Sequence, residues 1–461
     1  MELEQLQSLL TNYEDVQKAI AAEVTSPKVS DFLKQYNVNE HKIFSTTERP
    51  DKIVVTDEST SSVKVARLGV PMQKRIVQMA VTFLCGRPIK LHSVPADQSQ
   101  TDLLAAMTRT WDDNKLDYDT QELARILFSE TEVAEIWYAE DAEEGYWGQG
   151  AMQTAKVRLR MKIVANSLGD KLYPVFNAAG DMIAFGRGFT KTVQGKKIDC
   201  YDLYTEAETI IGEKGDAGWV TTPSKNMLNK IPVIYYRRPD TEWNDIQSLI
   251  ERFESLLSNS ADNNDYYGNP MIKVKGQVKG FAKKGEQGKI IEIDGDGDAE
   301  YMTHNGANES VQSEFKMLRS LILDMTDTPD ISFENMRGLG AFSAIALKMM
   351  FLGAHMKASS NEQIFGKGIQ RRLNLIKAAM GMINTSFESI VPLLNVKPVF
   401  EYFIPEDVEA KVNTLINAVG VGKGIMSQET AVRMNPLITD ADAEIGRLEE
   451  ERNQELPANL L

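Results

Sequence analysis

Apolar residues fall at the helical period over some stretches of the chain and at the strand period over others, and the changes of period divide it into modules. Leu3, Leu6, Leu9, Leu10, Val16 and Ile20 predict an opening helix from about Glu2 to Val24, and the polar residues after it predict a flexible lead-in up to residue 60. Residues 64–85 give a second helical pattern, broken at Gly69-Val70-Pro71 and stopped by Gly86 and Pro88, with a short strand at Ile89 to His92 beyond it. Amphipathic helices fit 101–114 and 118–129. Runs rich in Val, Ile and aromatic residues predict strands at Glu132 to Tyr138, Val157 to Val164, Lys171 to Phe176, Met182 to Phe189, Asp199 to Tyr204, Glu206 to Ile211 and Ile231 to Tyr236. Gly180-Asp181 and Gly195 mark turns between them, so residues 61–240 read as an α+β body.

A long surface helix follows from Trp243 to Tyr267. Ile246, Leu249, Ile250, Phe253, Leu256, Leu257 and Ala261 form its apolar side, and Glu251, Arg252 and Glu254 are placed on the other. Residues 269–308 revert to short strands and glycine turns, after which Val311, Phe315, Leu318, Ile322 and Met325 predict a second helix. Thr326 to Ala341 holds Pro329, Gly338 and Gly340 beside Ile331, Phe333, Met336 and Leu339, a loop apolar enough to predict contact with another body. Ser343 caps a helical sequence running to about Asn384, roughly 60 Å long, with Gly353, Gly366 and Gly368 as expected kink points. Pro398 to Phe403 predicts a last strand, and Pro405-Glu406-Asp407 opens an acid-rich helical tail.

With 461 residues, 42% of them hydrophobic, the chain is too long for one core and suits several packed units. It has no apolar run of membrane-spanning length and opens on acids, which predicts an intracellular, soluble product. Cys85 and Cys200 are too few and too far apart for a disulfide framework or a thiolate metal site, and are expected to be plain buried or half-buried thiols. His41, His92, His304 and His355 stand singly, with no i, i+4 pair to hold a metal. A net charge of -15 argues against a protein that grips phosphates tightly, but it does not exclude one that lets DNA slide past.

The short motifs resolve into bland readings. Asp294-Gly-Asp-Gly-Asp298 starts like a calcium loop, but Ala299 stands where Gly is needed and Asn305 where a bidentate Glu is needed, so an acidic turn is expected. Gly420-Val-Gly-Lys-Gly424 lacks the leading Gly and the closing Ser or Thr of a phosphate loop, and is expected to be a turn between helices. No Gly-x-Ser-x-Gly elbow or other activated nucleophile is visible, and Glu449 to Glu451 read as a solvated face. The Met-rich stretch Ala346 to Leu352, with Met356, is expected to be core or subunit interface. In 269–308, Lys273, Lys275, Lys279, Lys283 and Lys284 precede Glu292, Asp294, Asp296, Asp298 and Glu300, two strips that pair either within one subunit or with the next.

This order of modules resembles the portal proteins of long-tailed bacteriophages, and two segments are similar to that family in their residues. One is Ile231-Pro-Val-Ile-Tyr-Tyr with Trp243 to Tyr267 and Gly268-Asn-Pro-Met-Ile-Lys-Val-Lys-Gly276; the other is Gly340-Ala-Phe-Ser-Ala-Ile-Ala-Leu-Lys348 continued by Phe365-Gly-Lys-Gly-Ile-Gln-Arg-Arg-Leu-Asn-Leu-Ile376. The resemblance implies an α+β portal fold and a ring of about twelve copies around a tunnel. It implies a wing at 61–240 and 343–405, after an N-terminal segment at 1–60, and a crown at 406–461. The stem at 241–268 and 309–326 would carry Glu251, Arg252, Phe253, Glu254, Phe315 and Leu318. The clip at 269–308 would make partner and subunit contacts through Lys273, Lys275, Lys279, Lys283, Lys284, Asp294, Asp296 and Asp298. The tunnel loop at 327–342 would turn Phe333, Met336, Arg337, Leu339 and Phe342 toward DNA.

The implied function is structural, without catalysis, cofactor or metal. Implied partners are the terminase large subunit, a head-tail adaptor, the major capsid and scaffolding proteins, and double-stranded DNA passing without sequence specificity, but no membrane. The implied place is the unique capsid vertex of a virion, after assembly in the host bacterial cytoplasm. A phage nucleic-acid-processing metalloenzyme and another ring-shaped head-tail connector are the alternatives.

Overall fold

The protein is seen here as a computed structural model that describes residues 13–23, 28–55, 60–148, 150–267, 272–276, 278–280, 292–293, 298–301, 308–332, 349–402, 408–420, 424–438 and 440–455. Helices α1 (Tyr13–Glu23) and α2 (Val29–Tyr36) lead to a hairpin of β1 (Lys52–Val55) and β2 (Thr60–Val63). Helix α3 (Met72–Cys85) buries most of its length, and β3 (Lys90–His92) follows. Asp97 caps α4 (Gln98–Asp113) by accepting the Gln100 N–H at 2.8 Å. Lys115 and Thr131, both in the left-handed region, bracket α5 (Leu116–Glu130), so α4, α5 and the next strand fold back sharply on one another.

Three strands, β4 (Glu132–Asp141), β5 (Val157–Val164) and, later, β11 (Val233–Arg237), form an antiparallel sheet in the order β11-β4-β5. Between them runs a five-stranded meander of β6 (Lys171–Phe176), β7 (Met182–Val193), β8 (Lys196–Thr205), β9 (Glu208–Gly215) and β10 (Gly218–Lys225). Gln194 and Gly195 turn β7 into β8 with φ of 51° and 82°, the two positive angles that a two-residue hairpin of the right twist demands.

The first six residues of β4 are all buried, because its sheet is covered on both faces. Val133 and Trp137 face the helices, while Ala134 and Ile136 meet Phe185 and Tyr204 of the meander. Val16 and Ile20 of α1 seal the meander's other face against Val175, Leu203 and Ile210. The order of layers is thus helices, small sheet, large sheet, α1.

Helix α6 (Gln247–Tyr267) leaves this body. Short strands β12 (Ile272–Lys275), β13 (Val278–Gly280), β14 (Glu292–Ile293) and β15 (Asp298–Tyr301) pair as β12-β15 and β13-β14, and α7 (Asn308–Met325) returns. Helix α8 (Leu352–Ile383), 32 residues or about 48 Å, then crosses the small sheet, and β16 (Lys397–Val399) pairs with β3. Two of the three glycines expected to kink α8 allow close approach. A Cβ at Gly368 would stand 1.9 Å from Cε1 of buried Tyr236, and one at Gly353 would stand 2.8 Å from Oδ1 of Asp327. Gly368→Ala should therefore destabilise the protein by about 1–3 kcal/mol, read by urea unfolding.

The elements above belong to one compact unit, Met1–Asp330 with Gly353–Phe403; Ile331–Leu352 and Ile404–Leu461 form a second. The second unit has α9 (Val408–Val419), α10 (Gln428–Met434) and α11 (Ala441–Glu455). Gly420 closes α9 by donating its N–H to Ile416 O at 3.0 Å, so the glycine cluster begins as a helix-ending turn. Ser427 caps α10, and Arg433 binds Glu429 and Asp442 to join α10 to α11. Met349, Met350, Leu352 and Met356 of the Met-rich stretch are exposed and Phe351 is buried, so the stretch is not core as a whole.

Candidate functional site

The feature that sets this molecule apart is the helix pair α6–α7 with the small strands between its members. Phe253 stacks on Phe315 with ring centroids 4.3 Å apart, and Leu318 and Ile322 are buried beside them. Arg252 reaches Glu314 at 2.7 Å across the same seam. Phe253, Phe315 and Leu318 thus hold the pair together, as their spacing predicts.

Over the parts described, residues 28–70 brace α6. Ala66, Leu68 and Val70 donate their N–H groups to Asp262 at 2.7 Å, Ser258 at 3.0 Å and Glu254 at 2.7 Å. Four helical residues rise about 6 Å and two extended residues about 6.6 Å, so alternate residues of the strap meet successive turns of the helix in register. His41 Nδ1 lies 2.6 Å from Glu254 Oε1, and Nε2 lies 2.8 Å from Gln35 O; since a carbonyl only accepts, Nε2 carries a hydrogen. Arg49 grips Asp262 and Asn259, both at 2.8 Å, and Tyr36 stacks on Trp243. Glu254 is therefore buried, with 2% of its side chain exposed, and cannot line a polar outer face as expected of it. Glu251 is held by Lys42 at 3.0 Å.

A joint ties the pair to α8. Glu242, just before α6, accepts from Arg238, from Lys357 Nζ at 2.5 Å and from Asn361 at 3.0 Å. Lys357 also donates to Thr326 O, at the end of α7, at 2.7 Å. Burial pushes the Glu242 carboxyl up, but Lys357 and Arg238 more than reverse this and hold it below the ordinary value. Asp330 accepts from Arg319 at 2.8 Å and from Arg75 at 3.4 Å, so the chain is anchored again just past the joint.

Among the small strands, Lys273 stands opposite Glu300 and Lys275 opposite Asp298. Two lysines of the basic strip thus stand across one strand pair from two acids of the acidic strip, and Lys279 lies in β13 beside β14. Lys283, Lys284, Asp294 and Asp296 lie outside the described residues, as do Phe333, Met336, Arg337, Leu339 and Phe342. Among the described residues no three His, Cys, Asp or Glu are grouped to hold a metal ion, and no helix is long and apolar enough to cross a membrane. Cys85 and Cys200 are buried free thiols, and burial pushes Cys85 up to about 12.

A family model described as phage portal protein, SPP1 Gp6-like, matches residues 21–458. The chain belongs to the phage portal protein family. The portal protein of Bacillus phage SPP1 is 24% identical over 295 residues, 59% of this chain and 58% of its own length, so the match spans less than two thirds of that relative. Among solved structures, the neck of an empty GTA particle computed with C6 symmetry is similar with a TM-score of 0.39 at 10% identity, covering 79% of this chain and 90% of that one. The neck of a native GTA particle computed with C12 symmetry gives 0.37 at 11% identity, covering 80% and 90%.

In this portal-family chain the residues that lock the helix pair to the body, His41, Arg49, Glu242 and Lys357, carry no motif. Only Glu254 offers a hint in sequence: with Ile250, Leu257 and Ala261 it falls on the apolar stripe, where an acid needs a buried partner.

Proposed function

We propose that the protein is a structural portal subunit: copies form a ring, about twelve in number, at one capsid vertex, and double-stranded DNA is packaged and ejected through its bore. Membership of the phage portal protein family over residues 21–458 carries this reading. On it, α6 and α7 are the stem, the strands of 269–308 the clip, residues 61–240 with 343–405 the wing, and 406–461 the crown. The clip would dock the terminase large subunit and later the head-tail adaptor, the wing would meet capsid and scaffolding proteins, and the apolar loop 327–342 would approach DNA. Assembly would take place in the host bacterial cytoplasm. The subunit would be passive, with energy supplied by the terminase.

The geometry supports a smooth bore. With Glu251 and Glu254 taken up by the brace, the open stripe of α6 is Ser248, Arg252, Ser255 and Asn259, and Arg252 is neutralised by Glu314. Hydroxyls, an amide and a closed ion pair offer phosphates little to grip, which suits a duplex that must slide. Negative-stain imaging of the full chain, purified or in particles, should show an annulus with a central hole. A compact globule with no annulus under any assembly condition overturns the proposal.

A further inference from the structure

The small sheet of the body ends on an open edge. In the order β11-β4-β5, β11 has β4 as its one neighbour, and Ile234 and Tyr236 stand directly opposite Glu135 and Val133. Trp137 donates its N–H to Pro232 O at 2.8 Å, so the residues that bond to β4 are Pro232, Ile234 and Tyr236. By alternation the N–H and C=O groups of Val233 and Tyr235 point away from β4. Among the described residues these groups have no hydrogen-bond partner, although Val233 and Tyr235 are only 4% and 8% exposed. Backbone groups of so enclosed a strand are almost always paired, and an unpaired row of them is a template for another extended chain.

The edge opens on a cleft of about 400 Å³, within the range of ligand pockets. Val233, Ile234 and Tyr235 all line it; consecutive residues of a strand send their side chains to opposite faces, so a cleft that touches three in a row runs along the edge. Its walls are the two layers that sandwich the sheet. Ile234 and Tyr236 pack on the helix side and Val233 and Tyr235 on the meander, so Arg371 and Leu375 of α8 form one wall, while Asp181, Met182 and Glu206 at the end of the meander form the other. Lys230 belongs to the helix side: it lies near enough to Lys377 of α8 to add to the effect of burial, which holds that ammonium below its ordinary value. One wall is therefore basic and the other acidic, and Lys230, Arg371, Asp181 and Glu206 have no ion-pair partner among the described residues.

Only a polypeptide backbone matches a strand edge, with donors and acceptors repeating about every 6.6 Å. A strand laid beside β11 extends the sandwich, and its neighbouring side chains go to opposite walls. We propose that the cleft binds an extended segment of another protein by adding it to β11 as a strand, with an acid turned toward Lys230 and Arg371 and an adjacent base toward Asp181 and Glu206. Backbone pairing holds the segment, and the order of its charges selects it, because an acid and a base two residues apart share a wall and one of them meets its own sign. The inference goes beyond the ring reading and does not depend on it, since every group of the cleft belongs to one chain.

The test uses the full-length chain with the fluorescently labelled peptide acetyl-Val-Thr-Glu-Lys-Thr-Val-amide and its isomer acetyl-Val-Glu-Thr-Lys-Thr-Val-amide, read by anisotropy and by hydrogen exchange. In the free chain the amides of Ile234 and Tyr236, paired with β4, should exchange slowly and those of Val233 and Tyr235 fast. The first peptide should slow the latter two and bind about tenfold or more tightly than its isomer. Arg371→Glu, at an exposed position, should weaken that binding about tenfold while urea unfolding stays as in wild type. Equal binding of the two peptides, binding that leaves Val233 and Tyr235 unprotected, or no binding at millimolar peptide overturns the proposal. Slow exchange of these two amides in the free chain also overturns it: protection that fades on dilution assigns the edge to a second copy, and protection that persists assigns it to the chain's own residues.

Discussion

Arg372→Met should cost the protein about 3–5 kcal/mol of stability, one of the two largest effects expected of a single substitution here. Arg372 and Glu135 are both fully buried, with Nε 2.9 Å from Oε2, and Arg372 Nη1 donates to Thr120 Oγ1 at 2.8 Å. Tyr236 donates its hydroxyl to Glu135 at 2.6 Å. The cluster pins the middle of α8 to β4, β11 and α5, so it sets where the long helix lies on the small sheet. Methionine fills most of the volume but leaves Glu135 with the tyrosine alone.

The pH dependence distinguishes loss of the partner from loss of packing. Burial pushes the Glu135 carboxyl up, against the pull of Arg372. A carboxyl held above its unfolded value takes a proton more readily folded than unfolded, so its penalty is absent at low pH and grows as pH rises through the folded value. Without Arg372 the shift is larger, and the deficit of the variant against wild type should shrink as pH is lowered from about 7 toward the ordinary carboxylate range near 4.3. Urea unfolding of both proteins across that range measures it. A second variant, Glu135→Leu with Arg372→Met, should recover much of the loss, because it removes both charges together.

The large modules are legible in the residue pattern because they rest on repeated apolar faces. The stripe from Ile246 to Ala261 and that from Val311 to Met325 each fix a helix, and the Val- and Tyr-rich runs fix the strands of the body within a few residues except β10, whose polar Gly218–Lys225 gives no such run. The brace is illegible for the opposite reason: its contacts are polar, and their partners lie far away in sequence, as with Arg49 and Asp262 or His41 and Glu254. A polar segment that folds onto a helix and one that does not have the same composition. Buried charges do leave a trace. Glu135 alternates with Val133 and Trp137 on one face of its strand, and Arg372 follows Phe365 and Ile369 on one stripe of its helix. A charge at a core position of each of two elements is a reason to look for an ion pair between them, and here they find each other. Gly353 and Gly368 of α8 show a similar limit: the sequence shows missing side chains, and only the fold shows that Asp327 and Tyr236 occupy the space.

Glu242→Gln should loosen the joint between the helix pair and α8, at a cost of about 3 kcal/mol. The substitution keeps the shape but leaves Lys357 and Arg238, 16% and 14% exposed, facing a neutral amide. The carboxyl is held below its ordinary value in the folded chain. Its contribution is therefore complete above the unfolded value of about 4.3 and is lost as pH falls through the folded value, so the stabilities of wild type and variant should draw together as pH falls from about 4.3 through that value. The location matters as much as the size. Lys357 spans Glu242 and the Thr326 carbonyl just past α7, so the variant should speed hydrogen exchange in the last turn of α7 and the first turns of α8 before it affects the meander. Uniform acceleration across the whole unit would mean that the cluster only adds stability; acceleration confined to the joint would mean that one ammonium group sets how the helix pair is held against α8.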